Sequence, residues 1–274
     1  MNNPYINDTG KPLLIKSVVA FIDILGYKEK IKEIETAGEI QNFIKKFKKI
    51  LDDSFFRVSE YQLFHYYKMK SFSDNILIGY PIREDCEQEL ISVFGLLTYL
   101  QINMSLQGFF LRGAITIGNL YIDEDIIMGE GLLSAYNAER ELARDPRIIL
   151  TDSALVAVKE HLKYYAEHYR DFAPQRRYLL KDADGQYFLN YLLELKEPDE
   201  SIGPFVEEMN KHKQVIEKNL NKYLQIPRVW SKYAWAANYH NYFCIANPEF
   251  EVYKINLDDF QLRPSKIEFE DSTS

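Results

Sequence analysis

Cysteine is scarce in this chain: 274 residues contain two, Cys86 and Cys244, far apart and outside any CxxC pair. That excludes a disulfide scaffold or a zinc ribbon and fits a reducing compartment. The five histidines match no HExxH or paired-ligand spacing, and His161 and His168, seven apart, read as helix surface. Walker A, GxSxG and GxGxxG motifs do not occur, and neither does an internal repeat or a low-complexity tract. No run reaches the roughly 20 apolar residues needed to cross a bilayer, and Met1 to Lys16 lacks the apolar core of a signal peptide. Basic charge is in deficit, with a net −8 and a pI of about 5.3. A protein that wraps nucleic acid carries a basic face, whereas Lys45-Lys46-Phe47-Lys48-Lys49 reads as a solvated helix face. The expectation is a cytoplasmic protein with neither a nucleic acid nor a membrane as partner.

What is present is an ordinary globular composition, 46% hydrophobic and 27% charged, with 20 Tyr and 17 Phe that suit a β-rich core or a dimer seam. Residues 1–16 read as a loose leader, rich in turn formers. Ser17 to Leu25 is β-branched and nearly continuously apolar, the signature of a central strand buried on both faces. Lys28 to Phe56 reads as one helix by its 3–4-residue apolar spacing. His65 to Phe72 and Asn75 to Tyr80 read as two strands joined by Ser73-Asp74. A helix over Glu84 to Leu106, a strand pair over Phe109 to Asn119 and Leu120 to Met128, and a helix over Gly131 to Ala143 follow. Arg147 to Leu150 is a short strand leading to a helix capped by Asp152. This β-α-β-β-α-β-β-α-β order predicts an α+β fold, a sheet with helices on one face, over residues 17–193. Residues 194–274 begin with an acidic, Pro-bearing linker and continue as a helical extension, with helices over Phe205 to Tyr223 and Val229 to Phe243. Its Trp230, Tyr233, Trp235, Tyr239 and Tyr242 read as packed core or interface.

One residue interrupts the apolar first strand. An ionised Asp23 there costs several kcal/mol unless it is paired or metal-bound. Asp74, at the hairpin apex, is also explained by turn chemistry alone. The pair says more than either member: if the hairpin packs beside the first strand, two carboxylates meet at one end of the sheet, where a hard divalent cation relieves their repulsion. Two such aspartates suit a metal clamp around a phosphate and a hydroxyl.

Phe21-Ile22-Asp23-Ile24-Leu25-Gly26-Tyr27, Phe72-Ser73-Asp74, and Leu111-Arg112-Gly113-Ala114-Ile115 with Gly118 resemble the class III nucleotidyl cyclases. Ser71-Phe72-Ser73-Asp74, Arg112-Gly113-Ala114-Ile115 and the run from Gly129-Glu130-Gly131 through Ala135-Tyr136 to Glu139 look most like the pyrimidine nucleotide cyclases of the bacterial antiphage system Pycsar. The likeness spans Ser17 to Leu193. It implies a palm or ferredoxin-like sheet and two Mg²⁺ or Mn²⁺ ions bound by Asp23, Asp74 and the backbone carbonyl of Ile24. It further implies a triphosphate cradled by Gly26 and Tyr27, a phosphate oxygen held by Arg112, and Phe21 lining the nucleotide site. The implied reaction converts UTP, or CTP, to its 3′,5′-cyclic mononucleotide and pyrophosphate. The implied assembly is a homodimer with a composite site, its product read by a separate effector in antiphage defence.

The chain departs from the family on the helix after the second glycine, where purine-specific members carry an Asn and an Arg one turn apart. Leu133 and Asn137 stand there instead. Asn137, Arg140, or Arg176, Arg177 and Lys181 across a dimer seam are the remaining candidates for charge stabilisation, and a solvated basic cluster also accounts for the last three. Lys68, Lys70 and Tyr136 are candidates to face the base, each equally explained as surface or packing. The departure motivates an alternative, a catalytically silent dimeric nucleotide-binding module that regulates a partner. Dinucleotide synthesis on the same sheet ranks below both, since the hairpin lacks a GGDEF-type sequence.

Overall fold

The first strand, β1 (Ile15–Ile24), is buried almost end to end, with Ser17 to Ala20 and Ile22 wholly enclosed. Its run of Val, Ala, Phe and Ile fits a strand covered on both faces, and it holds the middle of the sheet. The computed structural model describes residues 3–59, 67–196 and 205–260, which fall into two units, Met1–Gly203 and Pro204–Ser274.

After β1 come α1 (Tyr27–Thr36) and α2 (Ile40–Ser59), then β2 (Lys68–Phe72), β3 (Asn75–Pro81), α3 (Glu87–Leu106), β4 (Leu111–Ile122), β5 (Ile127–Met128) and α4 (Glu130–Glu141). The first unit continues through β6 (Ile148–Leu150), α5 (Asp152–His161), α6 (Pro174–Tyr178), β7 (Leu179–Lys181) and β8 (Tyr187–Leu189). The eight strands form one sheet in the order β2-β3-β1-β4-β6-β8-β7, with β5 paired to β4. The β2-β3-β1-β4 portion is antiparallel throughout, and β6 joins β4 in parallel. The architecture is mixed α/β, an open sheet clad in helices.

Period-two alternation along β1 gives the sheet two different faces. Val18, Ala20, Ile22 and Ile24 join Leu90, Phe94 and Leu97 of α3 in the larger core. Val19 and Phe21 point the other way and pack with Leu77, Leu120, Tyr5 and Ala135 of α4. The expectation of helices on one face is corrected here: α4 covers the second face. Close backbone contact explains it, because a Cβ on Gly118 of β4 would lie 2.8 Å from the Gly131 Cα. Gly131 in turn sits against Val19.

Four further expectations change. The helix expected over Lys28 to Phe56 is two, because Ala37 and Gly38 turn back to bond the Glu33 and Glu35 carbonyls and end α1. The strand pair expected to turn at Asn119 is one 12-residue strand, β4, and the chain reverses later, where Asp123 accepts from the Asp125 and Ile126 N–H groups. Thr151, not Asp152, is the N-cap of α5; Asp152 lies in its first turn. The leader is not loose at Tyr5, whose ring is fully buried and whose hydroxyl meets Ser17 Oγ at 3.0 Å. Residues 65–66 of the expected β2 and 197–204 of the linker lie outside the described residues.

Sequence reading passed over the β7–β8 hairpin. Its turn is fixed from below by Arg147, 1% exposed, whose guanidinium pairs with Asp182 and Asp184. Among the described residues one helix, α3, is long and apolar enough to cross a membrane, and 72% of that stretch is buried inside the fold.

The second unit contains α7 (Val206–Lys222) and α8 (Pro227–Ala246). Met209, Ile216 and Leu220 of α7 and Tyr233, Ala236, Ala237 and Phe243 of α8 are buried. Trp235 stacks on Tyr239 at 5.4 Å, and Tyr242 remains about half exposed.

Candidate active site

Asp23 is the last residue but one of β1. It stands directly opposite Arg112 on β4 and Asn75 on β3. Directly opposed residues in antiparallel strands share a face, with Cβ atoms about 5 Å apart. Asp23, Asn75 and Arg112 therefore lie on the face that α4 covers. There the Arg112 Nε donates to Asp23 Oδ2 at 2.8 Å. The Arg112 Nη2 lies 2.8 Å from Oε1 of Glu139 on α4, close enough for an ion pair but not aligned as a hydrogen bond. The side chains of Asp23, Arg112 and Glu139 are 16%, 24% and 6% exposed, so the group opens to solvent on the Asp23–Arg112 side.

Asp74 reaches the same end of the sheet through the backbone. The β2–β3 turn has Ser73 in the left-handed region at φ 54°, an uncommon place for a residue with a side chain. The Asp74 carbonyl accepts from the Ile24 N–H at 2.9 Å, which stitches the turn to β1 one residue past Asp23. In an antiparallel ladder a residue's N–H and C=O leave the strand on the same side, so the Ile24 carbonyl also points toward the turn. Asp74 Oδ1 accepts from Asn75 Nδ2 at 3.1 Å, and Asn75 is the residue opposite Asp23. Asp23, Asp74 and the Ile24 carbonyl thus stand at one strand end. All are hard oxygen donors, the set that suits Mg²⁺ or Mn²⁺. Among the described residues no three His, Cys, Asp or Glu side chains cluster as a metal site, so any cation there would draw on this mixed set and on its own ligands.

Gly26 and Tyr27 follow at once. Gly26, at φ 67°, is the N-cap of α1 and supplies no side-chain cap, which leaves the helix's first turn of N–H groups as an anion-facing end. The Tyr27 ring packs into the core on the α3 side of the sheet. Phe21, 4% exposed, lies two residues before Asp23 on the same face, its ring edge-on to Tyr136 at 5.5 Å and 87°. Tyr136 is 42% exposed and forms an open aromatic surface against Phe21.

The remaining candidates are spread more widely. Lys70, opposite Leu77, donates its Nζ to the Glu124 carbonyl at 2.6 Å. On α4, Leu133, Asn137 and Arg140 are exposed, whereas Glu139 is buried. Arg176 and Arg177 on α6 and Lys181 on β7 are exposed, and β7 lies four strand spacings from β1, about 19 Å. Arg176 pairs with Asp171 at 3.3 Å. Within one chain this basic trio does not join the aspartates. Glu139 is the site residue that sequence reading missed, although an acid one turn beyond Ala135, on the buried side of an amphipathic helix, was a usable signal. Compared with protein-family models and with curated proteins, the chain matches none.

Proposed function

We propose that this protein is a metal-dependent pyrimidine nucleotide cyclase that converts UTP, or CTP, to the 3′,5′-cyclic mononucleotide and pyrophosphate. The observation that supports the proposal is the stitched end of the sheet, where the Ile24–Asp74 backbone bond and the Asp23–Asn75 register set Asp23, Asp74 and the Ile24 carbonyl at one strand end. The antiparallel β2-β3-β1-β4 order, with helices crossing between β1 and β2 and between β3 and β4, supports the same reading. It is the order of a ferredoxin-like or palm sheet, the frame that the class III cyclase resemblance implies.

Asp23, Asp74 and the Ile24 carbonyl would hold Mg²⁺ or Mn²⁺, two ions by the resemblance. Bound there, the metal would acidify the ribose 3′-hydroxyl and offset charge on the triphosphate as pyrophosphate leaves. The other tasks fall to the chain itself. The uncapped first turn of α1, from Gly26 and Tyr27, offers N–H groups to phosphate oxygens. Arg112 brings a planar guanidinium suited to a phosphate edge. Tyr136, backed by Phe21, offers a ring face on which a pyrimidine can stack and from which water is excluded. The active form would be a cytoplasmic homodimer with a composite site, its cyclic product read by a separate effector in antiphage defence.

Incubating the purified chain with each of the four NTPs and Mn²⁺, and weighing the products, tests the proposal. Cyclic UMP or cyclic CMP is the expected product. A folded protein that makes neither from UTP and CTP would rule the proposal out.

One observation favours a second reading, a catalytically silent nucleotide-binding module that regulates a partner. Leu133, 62% exposed, and Asn137 stand on α4 where purine-specific cyclases carry Asn and Arg. Tight NTP binding without turnover, unchanged by Asp23→Ala, would select that reading.

A further inference from the structure

Arg112 is held from two sides, by Asp23 on the neighbouring strand and by Glu139 on the overlying helix. Glu139 lies on the face of α4 that carries the buried Ala135 and Ala138, where an apolar side chain would satisfy packing. A carboxylate so enclosed is strongly disfavoured without a counter-charge. The Arg112 guanidinium that meets it also meets Asp23, so one guanidinium touches two carboxylates. Asp74 adds a third carboxylate at the same strand end.

We propose that Glu139 is a positioning residue that makes Arg112 an exchangeable counter-ion, resting on Asp23 before a cation binds and kept by Glu139 alone afterwards. The inference rests on the metal site of the cyclase reading and adds how that site is opened. A cation that takes the Asp23 oxygen must first displace the Arg112 Nε. Because Nη2 already meets Glu139, the guanidinium leaves one carboxylate without losing its only charge partner. If Glu139 loses its charge, Arg112 has Asp23 as its remaining carboxylate and holds it harder. Removing the Arg112 charge has the opposite effect, since Asp23 is then open to the cation.

Mn²⁺ binding to the full chain without nucleotide, followed by calorimetry or electron paramagnetic resonance, tests this, with Asp23→Asn defining the signal from this site. Glu139→Gln is expected to weaken Mn²⁺ about tenfold, within the range for groups sharing one charge network. Glu139→Asp, which keeps the charge, should recover most of that loss. Arg112→Gln should tighten Mn²⁺ by a similar factor. In the Arg112→Gln background, Glu139→Gln should then change affinity by less than about twofold. A simple loss of nearby negative charge, or a damaged helix, would weaken Mn²⁺ equally in both backgrounds, and that result overturns the proposal. So does unchanged affinity in Glu139→Gln. Should Arg112→Gln fail to fold, Arg112→Met supplies the same charge-free background for the comparison. Wild-type binding that matches Asp23→Asn would remove the metal site and this inference together, whereas binding at Asp23 that ignores Glu139 would remove only the inference.

Discussion

Gly118 and Gly131 meet backbone to backbone: a Cβ on the first would come within 2.8 Å of the Cα of the second. This contact sets the height of α4 above the sheet, and with it the positions of Tyr136 over Phe21 and of Glu139 over Arg112. A side chain cannot be absorbed by rotamer adjustment when its neighbour is backbone. Gly118→Val is therefore expected to cost about 2–3 kcal/mol, the upper part of the overpacking range. Chemical denaturation measures the loss, and a change below about 0.5 kcal/mol would mean that the helix can ride up freely.

Arg147 does comparable work at the other side of the sheet. Its guanidinium, 1% exposed, ties the entry of β6 to Asp182 and Asp184 in the β7–β8 turn. Asp184 is half exposed and its carboxyl is held below the ordinary range, chiefly by the hydrogen bond from Arg147. Arg147→Met keeps much of the side-chain volume but removes the charge. We expect a loss of about 3 kcal/mol, the low end for breaking a buried pair, because both aspartates can return to water. Denaturation of the variant at neutral pH gives the value directly.

The sequence was most readable where one pattern had one meaning. The apolar run of β1 admitted only a buried strand, and Asp23 stood out because charge has no local reason to be there. Asp74 was harder, since a turn explains it equally well; only the Ile24–Asp74 bond ties it to β1, and strand pairing of that range leaves no local trace. The placement of α4 was illegible because it depends on two glycines 13 residues apart in sequence that each lack a side chain to betray the contact. Arg147 was invisible for a related reason. Read as the first residue of a short strand, Arg147 gives no local sign of Asp182 and Asp184, more than 30 residues later, which the fold brings onto it.

Asp74 and Asp23 differ in what else they do, and their variants should differ accordingly. Asp23 also serves as a partner of Arg112, so Asp23→Asn removes the proposed metal ligand and an ion pair together. Asp74→Asn leaves the Arg112–Asp23–Glu139 group intact and keeps the Ile24 backbone bond. On the proposed cyclase reading, both substitutions should lower cyclic nucleotide formation by at least about a hundredfold, the upper end for residues that support a metal and a floor for direct ligands. The stability loss should be confined to Asp23→Asn, at about 1–3 kcal/mol for a partly buried charged hydrogen bond. Turnover assays and denaturation on the same preparations separate the two effects.

In the second unit, His212 and His240 face each other with Nδ1 atoms 3.0 Å apart, both rings fully buried. The His240 Nε2 lies 3.0 Å from the Tyr253 carbonyl, which can only accept, so the hydrogen bonding assigns the His240 proton to Nε2 and the shared proton to His212 Nδ1. Both rings are then neutral, and burial opposes any further proton. It pushes His212 well below its ordinary value and His240 down to about 4, with Lys213 adding to the effect on His240. The sign follows from linkage. The unfolded chain binds protons at these histidines once the pH falls below about 6.5, while the folded unit does not until about pH 4. Stability is therefore full above the unfolded value and declines across that interval. His240 alone accounts for about 3 kcal/mol at its lower end, at about 1.4 kcal/mol per unit of pKa difference. Both tryptophans of the chain, Trp230 and Trp235, lie in α8, so their fluorescence reports this unit. The denaturation midpoint should fall steadily from pH 7 to pH 4.5, and His212→Phe should reduce the slope by about half. A midpoint that stays level over that range would mean that the buried pair takes up protons as readily as the unfolded chain does.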